Sequence, residues 1–190
     1  RRSRQDLPDL LAAIPELAVI VDTFEQRVQR PRDQEEADRY YSGKKKQHTL
    51  KTQVAIDAAS GKVVDVPDSV CGPTSDLTVL KSSGLLDRVD PDVGVLGDLA
   101  YVGIVPLHPA GLGFTPRRKP REQPRPPADV VYNTAFAAAR IGVEHTIGRL
   151  RRYQALTQLD RHHRQAHAAR VRAVAGLVNR QLDHRFGAPL

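Results

Sequence analysis

Residues 17–31 read LAVIVDTFEQRVQRP, and the reading of this stretch decides the fold. Its centre, 18–24 (AVIVDTF), is β-branched and bounded by charge, the composition of a buried strand. Asp22 interrupts that apolar run, where a carboxylate costs desolvation and adds nothing to packing. Working outward, 7–17 is short and mostly apolar, and suits a helix limited by Pro8 and Pro15. On the other side, 25–46 is polar and carries both signs of charge, with a turn at Tyr40-Tyr41-Ser42-Gly43. It reads as a loop or an excursion between strands.

Beyond it, 50–57 (LKTQVAID) alternates apolar and polar, and 61–70 (GKVVDVPDSV) follows a Ser60-Gly61 turn. The pair predicts an antiparallel hairpin, with Asp57 and Asp65 as turn or edge residues. Gly72-Pro73 breaks the chain. Thr74-Ser75-Asp76 then offers N-cap chemistry for a helix through Leu86, with Leu77, Leu80 and Leu85 on one side. Residues 93–96 form a short apolar strand ending at Gly97-Asp98. Residues 111–128 are too rich in Pro and Arg to hold regular structure for long. From 129 to 156 the pattern is helical: Tyr132, Phe136, Ala139, Val143, Ile147 and Leu150 share one stripe at 3.6-residue spacing. After a polar His/Arg break, 164–186 suggests a last amphipathic helix. There are no internal repeats. Strand, hairpin, helix, strand, loop and long helix in that order predict a mixed α/β layer architecture with parallel and antiparallel strands.

Composition narrows the function. The chain has 190 residues and is 40% hydrophobic, enough for one domain with a sizeable core. No apolar run approaches the roughly 18 residues that span a bilayer, and the charged start followed by Pro8 does not resemble a secretory signal. Cys71 is the single cysteine, so an internal disulfide and a multi-cysteine zinc site are excluded. It reads as a small apolar residue rather than a nucleophile, and the chain as a cytoplasmic one. Lys and Arg number 29 against 22 acidic residues, a formal net charge of +7. Most of the basic residues are arginines, whose planar fork suits phosphate. A polyanionic partner is expected; a merely basic surface is the alternative.

Three acids stand where stability does not ask for one. Asp22 interrupts a strand, Asp98 follows a strand and a glycine, and Glu144 borders the apolar stripe of the long helix, from where it can reach back to the sheet. Phosphodiester cleavage explains such a convergence, because two divalent metals can activate the nucleophile and neutralise the leaving oxygen. Hard carboxylate oxygens suit Mg²⁺ or Mn²⁺. Spacing alone gives this geometry only a weak warrant.

The segments 17–31, 40–57 (YYSGKKKQHTLKTQVAID), 72–80 (GPTSDLTVL), 97–104 (GDLAYVGI) and 140–153 (RIGVEHTIGRLRRY) resemble, in order, the DDE transposases of bacterial insertion sequences. They are similar, more distantly, to the Harbinger-type nucleases. The resemblance implies an RNase H-like mixed sheet flanked by helices, with Asp22, Asp98 and Glu144 as catalytic residues holding two Mg²⁺ or Mn²⁺ ions. It implies a catalytic domain over 1–156, with 1–16 as a lead-in and 157–190 as a C-terminal helical extension. Transposon ends and target would be its double-stranded DNA partners, bound as a homodimer in the nucleoid. Asp76 has two readings, a cap or first-turn residue and a fourth acid near the metals, of which the first is preferred. His108 and His145 read as packing or surface histidines rather than groups orienting a phosphate or water.

The basic residues cluster near these acids: Arg27, Arg30 and Arg32 after the first strand; Lys44, Lys45 and Lys46 before the hairpin; Arg117, Arg118 and Lys119 in the Pro-rich loop; Arg140, Arg149, Arg151 and Arg152 on the long helix. Phosphate contacts from such groups position DNA. Residues 161–172, with no acid nearby, read as a solvated charged face.

The resemblance also carries a departure. Family members place a helix-turn-helix region ahead of the catalytic domain, and the segment before Asp22 is too short for one. With no methionine and a start at Arg-Arg-Ser-Arg, the chain has the look of a fragment or processed product. Three rivals therefore stand: an endonuclease without strand transfer, a truncated or domesticated DNA-binding protein without catalysis, and a metal-dependent phosphatase, which leaves the basic clusters unexplained.

Overall fold

A computed structural model describes residues 18–186, so the helix expected over 7–17 lies outside the described residues. The fold is mixed α/β. Its spine is β1 (Ala18–Arg27) paired antiparallel with β3 (Gln47–Asp57), from Val19↔Asp57 to Arg27↔Thr49. Strand β1 runs three residues further than its apolar stretch suggests, because β3 offers a full-length partner. On its other edge β1 pairs in parallel with β6 (Gly94–Leu96), which pairs in parallel with β7 (Gly113–Phe114). With β2 (Tyr41–Ser42) on the other edge of β3, the sheet order is β2-β3-β1-β6-β7.

The polar segment 25–46 is more structured than its composition suggests. It holds the helix α1 (Gln34–Tyr40), whose N-cap Asp33 accepts from the Glu36 N–H at 2.8 Å, with Glu35 and Glu36 in the dipole-favoured first turn. The expected turn at 40–43 instead begins with β2 (Tyr41–Ser42), paired to β3, and the reversal falls after it. Charge hid both elements, since neither shows an apolar stripe. The hairpin partner β4 (Val63–Asp65) and β5 (Val70–Cys71) both add to β3.

The helix predicted after Gly72-Pro73 forms as α2 (Asp76–Ser82), capped by Ser75, and stops at Gly84, where φ is +66°. It resumes as the single turn α3 (Leu85–Arg88). Together they bury Leu80, Leu85 and Leu86 on one face of the sheet, against Val21, Val95 and Tyr101.

Helix α4 (Pro127–Leu150) covers the opposite face, and its stripe is the one the spacing predicts: Phe136, Val143 and Leu150 are buried, with Tyr132, Ala139 and Ile147 packed beside them. It ends at Leu150 and a short 3-10 turn follows at Gln154–Leu156. Helix α5 (His167–Phe186) packs beside α4, adding Val171, Val174, Val178 and Leu182 to the core that contains Ile20, Phe24 and Val54. Among the described residues no helix is long and apolar enough to cross a membrane.

Candidate active site

The parallel pairing of β1 and β6 places two of the acids. The last matched pair is Ile20↔Leu96, and two residues beyond it stand Asp22, still within β1, and Asp98, just past the end of β6. Asp22 lies on the α4 side of the sheet. Its Oδ1 accepts from the Thr23 N–H at 2.7 Å and its Oδ2 from Arg140 of α4 at 3.0 Å. Burial pushes its carboxyl up to about 6; the Thr23 N–H and Arg140 pull it down, and the charges of Asp98 and Asp76 push it up again.

Asp98 leaves the sheet as the N-cap of a one-turn 3-10 helix, Leu99–Tyr101, and accepts from the Ala100 N–H at 2.8 Å. The glycine before it is required by close packing: a Cβ on Gly97 would lie 2.6 Å from Tyr101 Cβ. Tyr101 thus folds back beneath Asp98, wholly buried, and its hydroxyl has no hydrogen-bond partner among the described residues. Burial first, then the carboxylates of Asp76, Asp22 and Asp98, holds the phenol protonated. It is a donor placed amid three acids.

Asp76, in the first turn of α2, belongs to this group. Ser75 is the cap; Asp76 accepts instead from Thr23 Oγ1 at 2.9 Å and from Lys51 Nζ at 2.7 Å. Glu144 is exposed on α4 and reaches the same place from across the sheet. A cleft of about 360 Å³ is lined by Asp22, Asp76 and Glu144 together with Lys44, Lys45, Lys51 and Arg151. Asp98 does not line it, but its charge reaches Asp22. Among the described residues, no three His, Cys, Asp or Glu side chains are arranged to hold a metal as they stand.

Of the basic residues singled out from sequence, Lys44, Lys45 and Arg151 face the cleft, and Lys46 is exposed beside it. Arg149 and Arg152 line a neighbouring hollow that also contains Glu144 and His145. Arg27, Arg118 and Lys119 are exposed. Arg117 packs over the Tyr132 ring, 4.3 Å from its centroid, and pairs with Asp129. Arg140 faces Asp22 rather than open surface. Arg30 and Arg32 stand at a different hollow, at the end of β1. His108 is a packing residue: it is buried, with Nε2 2.8 Å from the Val93 carbonyl and Nδ1 accepting the N–H groups of Ala110 and Leu112. His145 is exposed.

Sequence reasoning missed Lys51, Thr23 and Tyr101. Lys51 lies in an alternating strand like any edge lysine, and only the pairing Glu25↔Lys51 brings it to the cleft. Tyr101 stood within the quoted segment 97–104 but carried no feature to distinguish it from core.

A family model described as DDE superfamily endonuclease matches residues 21–179. The chain is also 29% identical over 164 residues to a protein of Microchaete diplosiphon described as a probable transposase for insertion sequence element IS702. That match covers 86% of this chain and 57% of the relative, so the chain spans little more than half of that protein's length. No solved structure matches it.

Proposed function

Because the chain belongs to the DDE superfamily endonuclease family, we propose that it is the catalytic domain of a cut-and-paste DNA transposase. It would cleave DNA strands and join the freed 3′ ends to a target. The observation that supports this reading is that Asp22 on β1 and Glu144 on α4 line one cleft, with Asp98 just past the end of the neighbouring parallel strand β6 and its charge acting on Asp22. A mixed sheet with a long helix laid across it suits an RNase H-like plan, which is part of the proposal. Two clusters of basic residues at or beside the cleft, one of Lys44, Lys45 and Lys46 and one of Arg149, Arg151 and Arg152, suit a phosphate backbone.

The residues fit divalent metal by chemistry. Asp22, Asp98 and Glu144 offer only hard oxygens, as Mg²⁺ or Mn²⁺ requires. Asp22 is pushed up mainly by burial, with the Asp98 and Asp76 carboxylates adding to it and Arg140 opposing it, and the Tyr101 hydroxyl has no hydrogen-bond partner among the described residues. When bound, two such ions polarise a water or 3′-hydroxyl and neutralise the leaving oxygen.

The chain's own groups do the rest. The Thr23 N–H and Arg140 fix the rotamer of Asp22, and the Ala100 N–H fixes Asp98. Lys51 and Thr23 hold Asp76 in place, so its charge acts on the cleft without occupying it. Lys44, Lys45 and Arg151 grip the phosphates on either side of the strand to be cut. Arg140 is mostly buried and faces Asp22, so its first role is at that carboxylate rather than on DNA. Transposon ends as substrate and a nucleoid location complete the proposal, with a homodimer on DNA because two ends need two active sites.

Strand joining is the discriminating test. A labelled oligonucleotide with a free 3′-hydroxyl is incubated with plasmid, protein and Mg²⁺, and joined product is the expected result. Nicking without any joined product would identify a hydrolytic endonuclease instead. Duplex binding with neither reaction would identify a DNA-binding protein without catalysis.

A further inference from the structure

We propose that a second basic hollow, at the far end of β1 from the acids, is a binding site for the phosphate backbone of the duplex flanking the cleavage point. This rests on DNA being the substrate of the acid cleft. The hollow has a volume of about 780 Å³ and is lined by Arg30, Arg32, Arg161, His162, His163 and Arg164. Residues 161–164 read from sequence as a solvated face; the fold sets them against the cluster at Arg30.

The charge of this hollow is uncompensated. Arg30, Arg32 and Arg161 are exposed, and none forms an ion pair among the described residues. Arg30 donates to the neutral Gln34 side-chain amide oxygen at 2.8 Å. The two carboxylates at the rim are already spent: Glu36 pairs with Arg164, and Asp160 pairs with Arg170 and accepts the His162 N–H at 3.0 Å. What remains facing solvent is a set of cations without counterions, where phosphate oxygens gain charge-assisted hydrogen bonds.

The hollow is also held in shape. The Asp160 N–H donates to the Arg27 carbonyl at 2.8 Å and the Gln29 N–H to the Asp160 carbonyl at 3.2 Å, a parallel bridge to the end of β1. Buried Gln26 donates to the carbonyls of Ala155 and Gln158 at 3.0 and 2.9 Å. Arg164 lies over the Tyr40 ring, 4.7 Å from its centroid. The segment leaving α4 is thereby stitched along the second half of β1, from Arg151 at the acid cleft to Arg161 at the hollow. Asp22 on β1 and Val28, the residue just after β1, are six residues apart along extended chain, about 20 Å, which corresponds to about six base-pair steps of duplex. The geometry suits one duplex touching both places, with the flank fixed while the cleft acts.

The test is duplex binding followed by fluorescence anisotropy, in EDTA to suppress cleavage, over a salt titration and a series of stem lengths. The double variant Arg32→Ala/Arg161→Ala is expected to bind a long duplex about tenfold more weakly than wild type, with the slope of log K against log salt smaller by about two. The wild-type advantage is expected to be largest on stems longer than about six pairs. Arg161→Glu alone, by charge reversal, is expected to weaken binding at least as much as Arg161→Ala at unchanged melting temperature. Equal affinity and salt slope for wild type and the double variant would overturn the site while leaving DNA as the substrate. A defect confined to single-stranded RNA would overturn it in favour of another polyanion. A wild-type protein that binds no duplex at all would remove both this site and the substrate it rests on.

Discussion

Arg140 on α4 places a guanidinium nitrogen 3.0 Å from Asp22 Oδ2 on β1, tying the long helix to the sheet at the candidate site. Both side chains are mostly buried, at 13% and 20% exposure, and Arg140 Nε has no partner among the described residues. The pair is therefore a poised contact. Arg140→Ala is expected to cost about 1–3 kcal/mol, between an exposed and a fully buried pair. A thermal-denaturation double-mutant cycle with Asp22→Asn checks it: the coupling should be at least about 0.5 kcal/mol. Additive losses would mean the contact carries no energy.

Two buried groups give stability a pH dependence of opposite sign. His167, wholly buried, has Nε2 2.9 Å from Gln26 Oε1 and Nδ1 2.7 Å from Ser69 Oγ. Burial pulls its pKa down to about 4. Between about pH 4 and 6.5 the unfolded chain binds the extra proton, so this group makes stability rise with pH, by roughly 3 kcal/mol over the window. Asp22, pushed up to about 6, does the reverse: the folded chain holds its proton between about pH 4 and 6, and that contribution is lost as pH rises through 6. The two slopes offset each other in the wild type. In His167→Gln, urea denaturation at a series of pH values should show stability falling as pH rises from 4 to 6. A profile identical to wild type would show that His167 does not titrate as its burial requires.

Asp76 separates position from chemistry. Its carboxylate is occupied by Lys51 and Thr23, so Asp76→Asn, which keeps an acceptor oxygen, is expected to retain nicking within about tenfold. Asp98→Asn, by the same assay, is expected to lose it. Equal losses would make Asp76 a fourth acid of the site.

Gly97 couples packing to the site. A methyl there meets the Tyr101 side chain at 2.6 Å, and overpacking of this kind costs about 1–3 kcal/mol. Gly97→Ala is expected to lower the melting temperature and to reduce nicking together, because Tyr101 cannot move without displacing the turn that Asp98 caps. Lost stability with unchanged nicking would uncouple the two.

What the sequence made legible were the elements with a period. The stripe Phe136, Val143 and Leu150 on α4 is a pattern that only one geometry buries, and the alternation of 50–57 marked a strand, although the structure buries β3 on both faces. Helix α1 escaped because just one of its residues, Ala37, is buried; its capping by Asp33 was the available clue. The acids Asp22 and Asp98 stood out because they contradict their surroundings. Lys51, Thr23 and Tyr101 do not: each suits a strand or a core, and their meaning arises from pairings between segments far apart in the chain. Residues 161–164 likewise became informative only when Asp160 was found stitched to β1.

The most direct test of the central claim is plasmid nicking by purified protein in Mg²⁺, Mn²⁺ and EDTA, with Asp98→Asn and Glu144→Gln alongside and duplex binding measured in parallel. The account predicts nicking in both metals, none in EDTA, and none in either variant while both still bind duplex. Wild-type nicking rates in the two variants, or undiminished nicking in EDTA, would contradict it.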